Sequence, residues 1–422
     1  MKKLIAFDSW TDYSVHFERL VDDLSSHDYQ LILIHIGSWG HDVGRPKEEL
    51  IGKLLVRDIS YYGKNSMLEI LKKEAPKGVL FLSTRGIANI AVNRCAKYLG
   101  IPTCHIYHGL VMVQPHGHND KNYSINFKRY IGLIIERVWK NISIIIPFYL
   151  KVLIQTKADF IAWVQLLMLI SKRLLGISAG NKNPYVYGTQ TDYGCVYVPA
   201  DKLHMNYNYK VPNDNIYVVG NPDLITFGIQ ETDLASQLVN NKTSRTILYL
   251  DTALCEAGVV FNSKRQFLEH IIETRDKLLE LNYNLIVKLH PAHFKTGLED
   301  LVRKKGIQLC TNEDFVWCVK NSIAVITEPT TAAMVPALIG RPLLLTKYGI
   351  LKNQSFGFVI ESYPRAASLD SLYNIEEIVK KLNSENDEIT MLRWIKENIG
   401  PLPASELPLR ITNALIKMNR AE

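Results

Sequence analysis

Short apolar runs that stop abruptly in polar clusters constrain this chain most, and residues 284–345 show the pattern best. Leu285-Ile286-Val287 reads as a buried strand and ends in Lys288-Leu289-His290-Pro291. After a helix-like segment, Ala324-Val325-Ile326 ends in Thr327-Glu328-Pro329-Thr330-Thr331. A small-residue helix over 332–338 and a third apolar run over 342–345 follow. Continuous apolar strands alternating with helices imply a parallel sheet covered on both faces. Such a sheet takes its ligands at the carboxyl ends of its strands. Both polar clusters belong on that edge.

The residue types there suit an anion. Thr330 and Thr331 start a helix whose first amides lack intrahelical partners, so hydroxyls, free N–H groups and the helix dipole converge. His290, held at a strand end by Pro291, can donate to the same anion, and Lys288 adds charge one pleat away. The reading is a nucleotide mono- or diphosphate pocket. Each residue also has a plain structural role open to it: Thr330 as an N-cap, His290 as a turn residue.

The front of the chain repeats the alternation. Strands are expected at 4–7, 31–36, 78–82 and 102–107, with helices at 13–25, 66–73 and 87–99. The strands end in Asp8, in Gly37-Ser38-Trp39-Gly40, in Ser83-Thr84-Arg85-Gly86 and in Tyr107-His108-Gly109. This is a Rossmann-like domain without GxGxxG, which argues against NAD or FAD. Further on, strands are expected at 195–198, 217–219 and 247–250, and helices at 267–281, 374–382 (with Asn374 as N-cap), 389–399 and 408–418.

Lys-x-His-Pro followed some forty residues later by a hydroxyl pair at a helix start resembles the donor-site signature of bacterial surface-polymer transferases: polysialyltransferases, capsule Kdo transferases and CDP-glycerol glycerophosphotransferases. Thr-Thr stands here where Ser-Ser or Ser-Thr is usual in that family. The resemblance implies a GT-B-like α/β fold, two Rossmann-like domains facing across a cleft. It implies that His290, Thr330 and Thr331 hold the donor phosphate, with Lys288 and Glu328 beside them. It also offers His108, from an aromatic-His-Gly turn, as the base, with Asp8 as the rival carboxylate and Arg85 for an acidic acceptor or the leaving phosphate. His108 would then face His290 across the cleft. The activity implied is that of a metal-independent, inverting glycosyltransferase, using a CMP- or UDP-linked sugar to build a capsule, O-antigen or related glycan on a free or lipid-linked acceptor. Alternatives are polyol-phosphate transfer of the CDP-glycerol type, UDP-sugar 2-epimerisation, and a non-catalytic membrane-associated assembly protein. An epimerase of this kind usually has Asp-Ser-Gly-Gly where Glu328-Pro329-Thr330-Thr331 stands.

Residues 128–180 depart from the pattern. From Lys128 to Arg173 there are eight basic and two acidic residues, a net charge of +6. The longest uncharged runs there are ten and twelve residues, against about twenty for a membrane span. Apolar segments with basic flanks, Trp139 and Trp163 read as interfacial helices on an anionic inner leaflet; the other reading is a buried helical subdomain with basic caps. The expected organisation is a Rossmann-like domain over 1–127, this basic apolar helical insertion over 128–180, the end of the first domain and a linker over 181–240, and a donor-binding domain over 241–422. The overall charge of +7 across 422 residues is too small to point to nucleic acid. Six cysteines without a CxxC, and an opening apolar run that breaks at Asp8, fit a cytoplasmic protein held peripherally on the membrane. No cofactor and no metal are expected. His116-x-His118 is metal-like in spacing, but two ligands do not make a site.

Overall fold

The computed structural model describes residues 1–9, 11, 14–39, 44–63, 66–109, 141–174, 188–236, 238, 244–254, 260–261, 263–293, 297–384 and 388–419. His116, His118 and Trp139 lie outside them. Fourteen strands fall among the described residues: β1 (Lys2–Asp8), β2 (Tyr29–His35), β3 (Glu48–Ile51), β4 (Leu54–Asp58), β5 (Gly78–Phe81), β6 (Thr103–Ile106), β7 (Tyr193–Val196), β8 (Ile216–Val218), β9 (Thr246–Leu250), β10 (Asn284–Lys288), β11 (Gln308–Leu309), β12 (Ala324–Thr327), β13 (Leu343–Thr346) and β14 (Ala366–Leu369).

They form two sheets in two compact units. Within the described residues the first unit comprises residues up to 109, 141–220 and 405–419, and the second comprises 221–404. The first sheet runs β3-β4-β2-β1-β5-β6-β7-β8 and the second β11-β10-β9-β12-β13-β14. All pairings are parallel except β3 with β4. The fold is thus α/β with two Rossmann-like units, as expected. The helix Leu407–Met418 groups with the first unit, not with the domain drawn over 241–422; Met418 packs toward Gly78 of β5.

Alternation along the strands builds each core. In the first unit Ile5, Phe7, Ile32, Ile34, Val79 and Phe81 share one face. In the second, Ile247, Tyr249, Val287, Ile326 and Leu344 share one, packed by Phe267, Ile271 and Leu278 of the helix Lys264–Glu280. Several elements differ from expectation at the residue level: the helix expected over 13–25 is two short ones, Val15–Glu18 and Val21–Ser26, and β11 and β14 were not anticipated. The β3–β4 hairpin was not anticipated, because Glu48, Glu49 and Arg57 break up its apolar pattern. The N-cap expected at Asn374 falls to Ser371, whose hydroxyl accepts from Tyr373 N (3.3 Å) and opens a 3-10 turn before the helix Ile375–Ser384.

The described part of the insertion lies between β6 and β7 as the helices Ile146–Gln155 and Phe160–Leu174. Tyr149, Val152 and Leu153, then Ala162, Leu166 and Leu169, fall at helical spacing and join the first core. Ile154, Phe160, Ile161, Leu167 and Met168 remain exposed. The insertion is therefore partly core and partly apolar surface. No helix among the described residues is long and apolar enough to cross a membrane.

Two buried arginines brace the second unit. Arg341 donates through Nε to Val319 O (3.1 Å) and through Nη2 to Lys320 O (2.5 Å). Arg365 donates to Leu382 O (3.1 and 3.2 Å), to Gly340 O (2.6 Å) and to Asn383 Oδ1 (2.8 Å). They satisfy carbonyls at the C-terminal ends of the helices Phe315–Asn321, Met334–Ile339 and Ile375–Ser384. Burial pushes Arg341 down to about 10. Arg365→Met is expected to cost about 2–4 kcal/mol in a denaturant titration, since it strands buried carbonyls. A loss below about 0.5 kcal/mol would show that these ends are satisfied in another way.

Candidate functional site

Each sheet has a topological switch point, the place where chain order reverses and the strand ends part. In the first unit it lies between β1 and β5, and in the second between β9 and β12. The residues singled out from the sequence gather at or beside these points.

In the first unit, β6 ends at Ile106 and the chain turns through Tyr107 and His108. His108 is exposed. Its Nδ1 lies 3.1 Å from the carbonyl oxygen of Leu82, at the end of β5. A carbonyl can only accept, so the contact selects the tautomer protonated on Nδ1 and makes Nε2 the basic nitrogen. The same carbonyl takes Nε2 of the buried His105, also at 3.1 Å. Burial lowers His105 to about 3, so it stays neutral. The His16 ring packs edge-on to His108 at 6.4 Å. Burial first, then the charge of Arg19 and the nearby His108, lower His16 to about 4. Arg19 donates to the Tyr197 hydroxyl (3.1 Å). Arg85 is exposed, with its guanidinium 5.1 Å above the Tyr209 ring. Tyr107 and His204 share a 2.7 Å hydrogen bond. Asp8 ends β1 but is buried, and its Oδ1 accepts from Ser9 N (2.6 Å).

In the second unit, His290 follows β10 and is exposed. Its backbone N–H donates to Asp251 Oδ2 (2.8 Å), which fixes the turn. Partial desolvation lowers the His290 pKa, outweighing the opposing pull of Asp251. Asp251, just after β9, also accepts from Ala253 N (2.8 Å) and lies 3.0 Å from Nε2 of the buried His293. Ala253 sits at φ +60°, so this turn is held tightly. Thr330 Oγ1 accepts from Ala332 N (3.2 Å). The N-cap role is therefore real, and it leaves the hydroxyl proton available as a donor. Thr331 is exposed and begins a 3-10 turn, Thr331–Ala333, before the helix Met334–Ile339. That helix is six residues long, so its dipole adds little and the hydroxyls and amides carry the edge's anion character.

Two residues expected at the donor are buried and held by partners within the unit. Lys288 is buried; Nζ donates to Asn312 Oδ1 (2.6 Å) and lies 5.1 Å from the Phe315 ring and 5.8 Å from the Phe227 ring. Strand alternation puts Val287 in the core with the helix Lys264–Glu280 and sends Lys288 to the other face. Glu328 is fully buried. Its Oε1 accepts from the Tyr249 hydroxyl (2.8 Å) and its Oε2 from Thr252 N (3.0 Å) and Thr252 Oγ1 (3.2 Å). Sequence reading missed His16, Arg19 and the Leu82 carbonyl, and placed Asp251 only as the start of a strand-end loop on the donor edge. Asp251 ends an apolar strand as Asp8 does; His16 and Leu82 carry no such signal. Among the described residues no group of three or more His, Cys, Asp or Glu is arranged to hold a metal ion.

No protein-family model matches the chain. No curated protein sequence matches it. Among solved structures it is similar to the wall teichoic acid polymerase TagF, with TM-score 0.51 and 11% identity over 100% of this chain and 89% of that one. The UDP-GlcNAc 2-epimerase from Neisseria meningitidis bound to UDP-GlcNAc gives TM-score 0.45 and 14% identity over 99% and 100%. The glycotransferase of kitacinnamycin gives 0.46 and 12% over 99% and 98%. At such identities the likeness is one of fold: the chain has a GT-B-like architecture of two Rossmann-like units.

Proposed function

We propose that this protein is a glycosyltransferase that moves a sugar from a CMP- or UDP-linked donor onto a growing bacterial surface polysaccharide. The observation that carries the reading is His108, exposed at a strand end and held by the Leu82 carbonyl in the tautomer that offers Nε2 as a base. The fold shared with TagF is compatible with it. In the proposed reaction Nε2 takes the proton of an acceptor hydroxyl. The hydroxyl oxygen attacks the anomeric carbon, and the bond from that carbon to the donor phosphate oxygen breaks, with inversion. His290, Thr330 and Thr331 hold the departing phosphate by hydrogen bonds, and such charge stabilisation is usually the largest catalytic contribution. Arg85, propped by Tyr209, holds an acidic group of the acceptor. His108 is preferred to Asp8 as base because Asp8 is buried. The mechanism calls on no metal ion or cofactor.

Incubation with CMP- and UDP-sugars, with and without capsule or O-antigen acceptors, tests the reading. Nucleotide release only with acceptor is the expected result. Acceptor-independent interconversion of UDP-sugars would replace it with an epimerase, consumption of CDP-glycerol with a polyol-phosphate transferase, and no turnover with a non-catalytic assembly role.

We further infer that the insertion seats the protein on the inner leaflet through its exposed apolar residues, with Lys151 and Lys157 beside them. Sedimentation with anionic liposomes at low salt is expected. Phe160→Ser with Ile161→Ser and Leu167→Ser should weaken it by about tenfold or more, at about 1.5–3 kcal/mol for each apolar side chain fully buried. Deleting the whole insertion would be a poor test, because six of its side chains lie in the core. A protein that never sediments with such liposomes would remove this part of the reading.

A further inference from the structure

The switch point of the second unit is closed by two carboxylates that the donor site as described does not use. β9 and β12 are neighbours that feed connections in opposite directions along the sheet, and their turns would otherwise part. Glu328, at the end of β12, reaches across to Thr252 N and Oγ1 in the β9 turn. Asp251, in that same turn, reaches the other way to the His290 backbone after β10. Three strand-end turns that carry His290, Thr330 and Thr331 are thus tied into one edge by two adjacent buried acids.

The surroundings of the two acids differ. Asp251 receives two backbone N–H groups and has His293 at 3.0 Å. Among the described residues the hydrogen-bond partners of Glu328 are Tyr249 and Thr252, neither of them a cation. Glu328 faces Tyr249 of β9 and Asp251 and Thr252 of the turn that follows, and Tyr348 lies close enough to feel its charge. Behind Tyr249 stands His270 of the helix Lys264–Glu280, its Nε2 at 3.1 Å from the phenol oxygen. This chain accepts either charge state without losing a bond. With Glu328 ionised, His270 donates to Tyr249 and Tyr249 donates to Glu328. With Glu328 protonated, the acid donates to Tyr249 and Tyr249 donates to His270.

We propose that Asp251 and Glu328 are positioning residues for a phosphate-bearing ligand: Asp251 aims the His290 turn, and Glu328 locks the β9 turn to the end of β12. The inference rests on the donor-site reading. Burial, with the Asp251 charge adding to it, pushes Glu328 up to about 8. A raised folded-state pKa means that the proton's stabilising contribution is full below the ordinary glutamate range and is lost as pH rises through about 8. An ionised Glu328 would then also repel the bound phosphate.

The experiment uses the full chain, with CDP and UDP as calorimetric probes from pH 6 to 9.5, and denaturant titrations over the same range. Wild-type affinity should fall about tenfold or more between pH 8 and 9.5, the one-proton limit being tenfold per pH unit. Glu328→Gln keeps the bridging geometry and should flatten that fall to within about twofold, and should also flatten the loss of stability with rising pH. Glu328→Ala should weaken nucleotide binding at every pH. The inference is overturned if Glu328→Gln keeps the wild-type slopes, or if it weakens binding as much as the alanine variant. If the stability slope responds to Glu328→Gln while neither nucleotide binds the wild type, the protonated acid stands and the donor-site reading falls.

Discussion

His108→Ala is expected to lower turnover by about a hundredfold or more while nucleotide affinity stays within about twofold of wild type. The size follows from the role, since a positioned base contributes about 10²–10⁴ in rate. The selectivity follows from position: His108 belongs to the first unit, and the proposed donor ligands His290, Thr330 and Thr331 belong to the second. Folding should be little disturbed, because the ring is exposed and its Leu82 carbonyl partner keeps His105. Asp8→Asn is the matched control. It replaces a buried carboxylate that accepts from Ser9 N, and it should cost stability before it costs the chemical step. Steady-state kinetics beside calorimetry with CDP and UDP decide the matter. Near-wild-type turnover in His108→Ala, with collapse in a folded Asp8→Asn, would transfer the base role to Asp8.

The second large effect is expected on the other unit. His290→Ala should abolish measurable turnover and weaken nucleotide binding together, because a phosphate ligand acts both in the bound complex and as charge builds on the leaving group. Removal of one positioned donor commonly costs about 10²–10³ in rate. The turn itself should survive, since its tie to Asp251 runs through the His290 backbone and not its ring. Thr330→Val with Thr331→Val should act the same way, with one added consequence. Thr330 caps Ala332 N, so about 1 kcal/mol of stability should go with the hydroxyl. A thermal-shift screen with CMP, CDP, UDP and GDP reads binding and stability at once, because a ligand that binds only the native state raises the midpoint. If both variants bind and turn over like wild type, the phosphate site is elsewhere.

The amino-acid sequence alone determined ten of the fourteen described strands and where they end; β3, β4, β11 and β14 were not legible in it. Runs such as Leu4–Phe7, Leu31–Ile36 and Leu285–Val287 can be satisfied only inside a sheet covered on both faces. Asp8, Arg85 and His108 in the first sheet, and His290 and Thr330 in the second, were singled out for that reason: each belongs to the polar group after such a run, and each parallel sheet brings its own such points to its carboxyl edge. What lay beyond reach depended on contacts between distant segments. His16 stands beside His108 across ninety-two positions of chain, and the partner that sets the His108 tautomer is a backbone carbonyl, which has no signature in residue type. Lys288 read as a donor-site cation until the pleat carried it toward Asn312 and Phe315. Glu328 read as a ligand, and only the assembled sheet shows it buried and bonded to Thr252. The apolar insertion showed the same divide. Its composition announced helices with an apolar face, and only packing decided which residues, such as Val152 and Leu166, entered the core and which, such as Phe160 and Leu167, stayed outside. Local pattern sets which elements form, because burial and backbone hydrogen bonding act residue by residue. The direction of a side chain and its partner are set by neighbours that only the assembled sheets bring together.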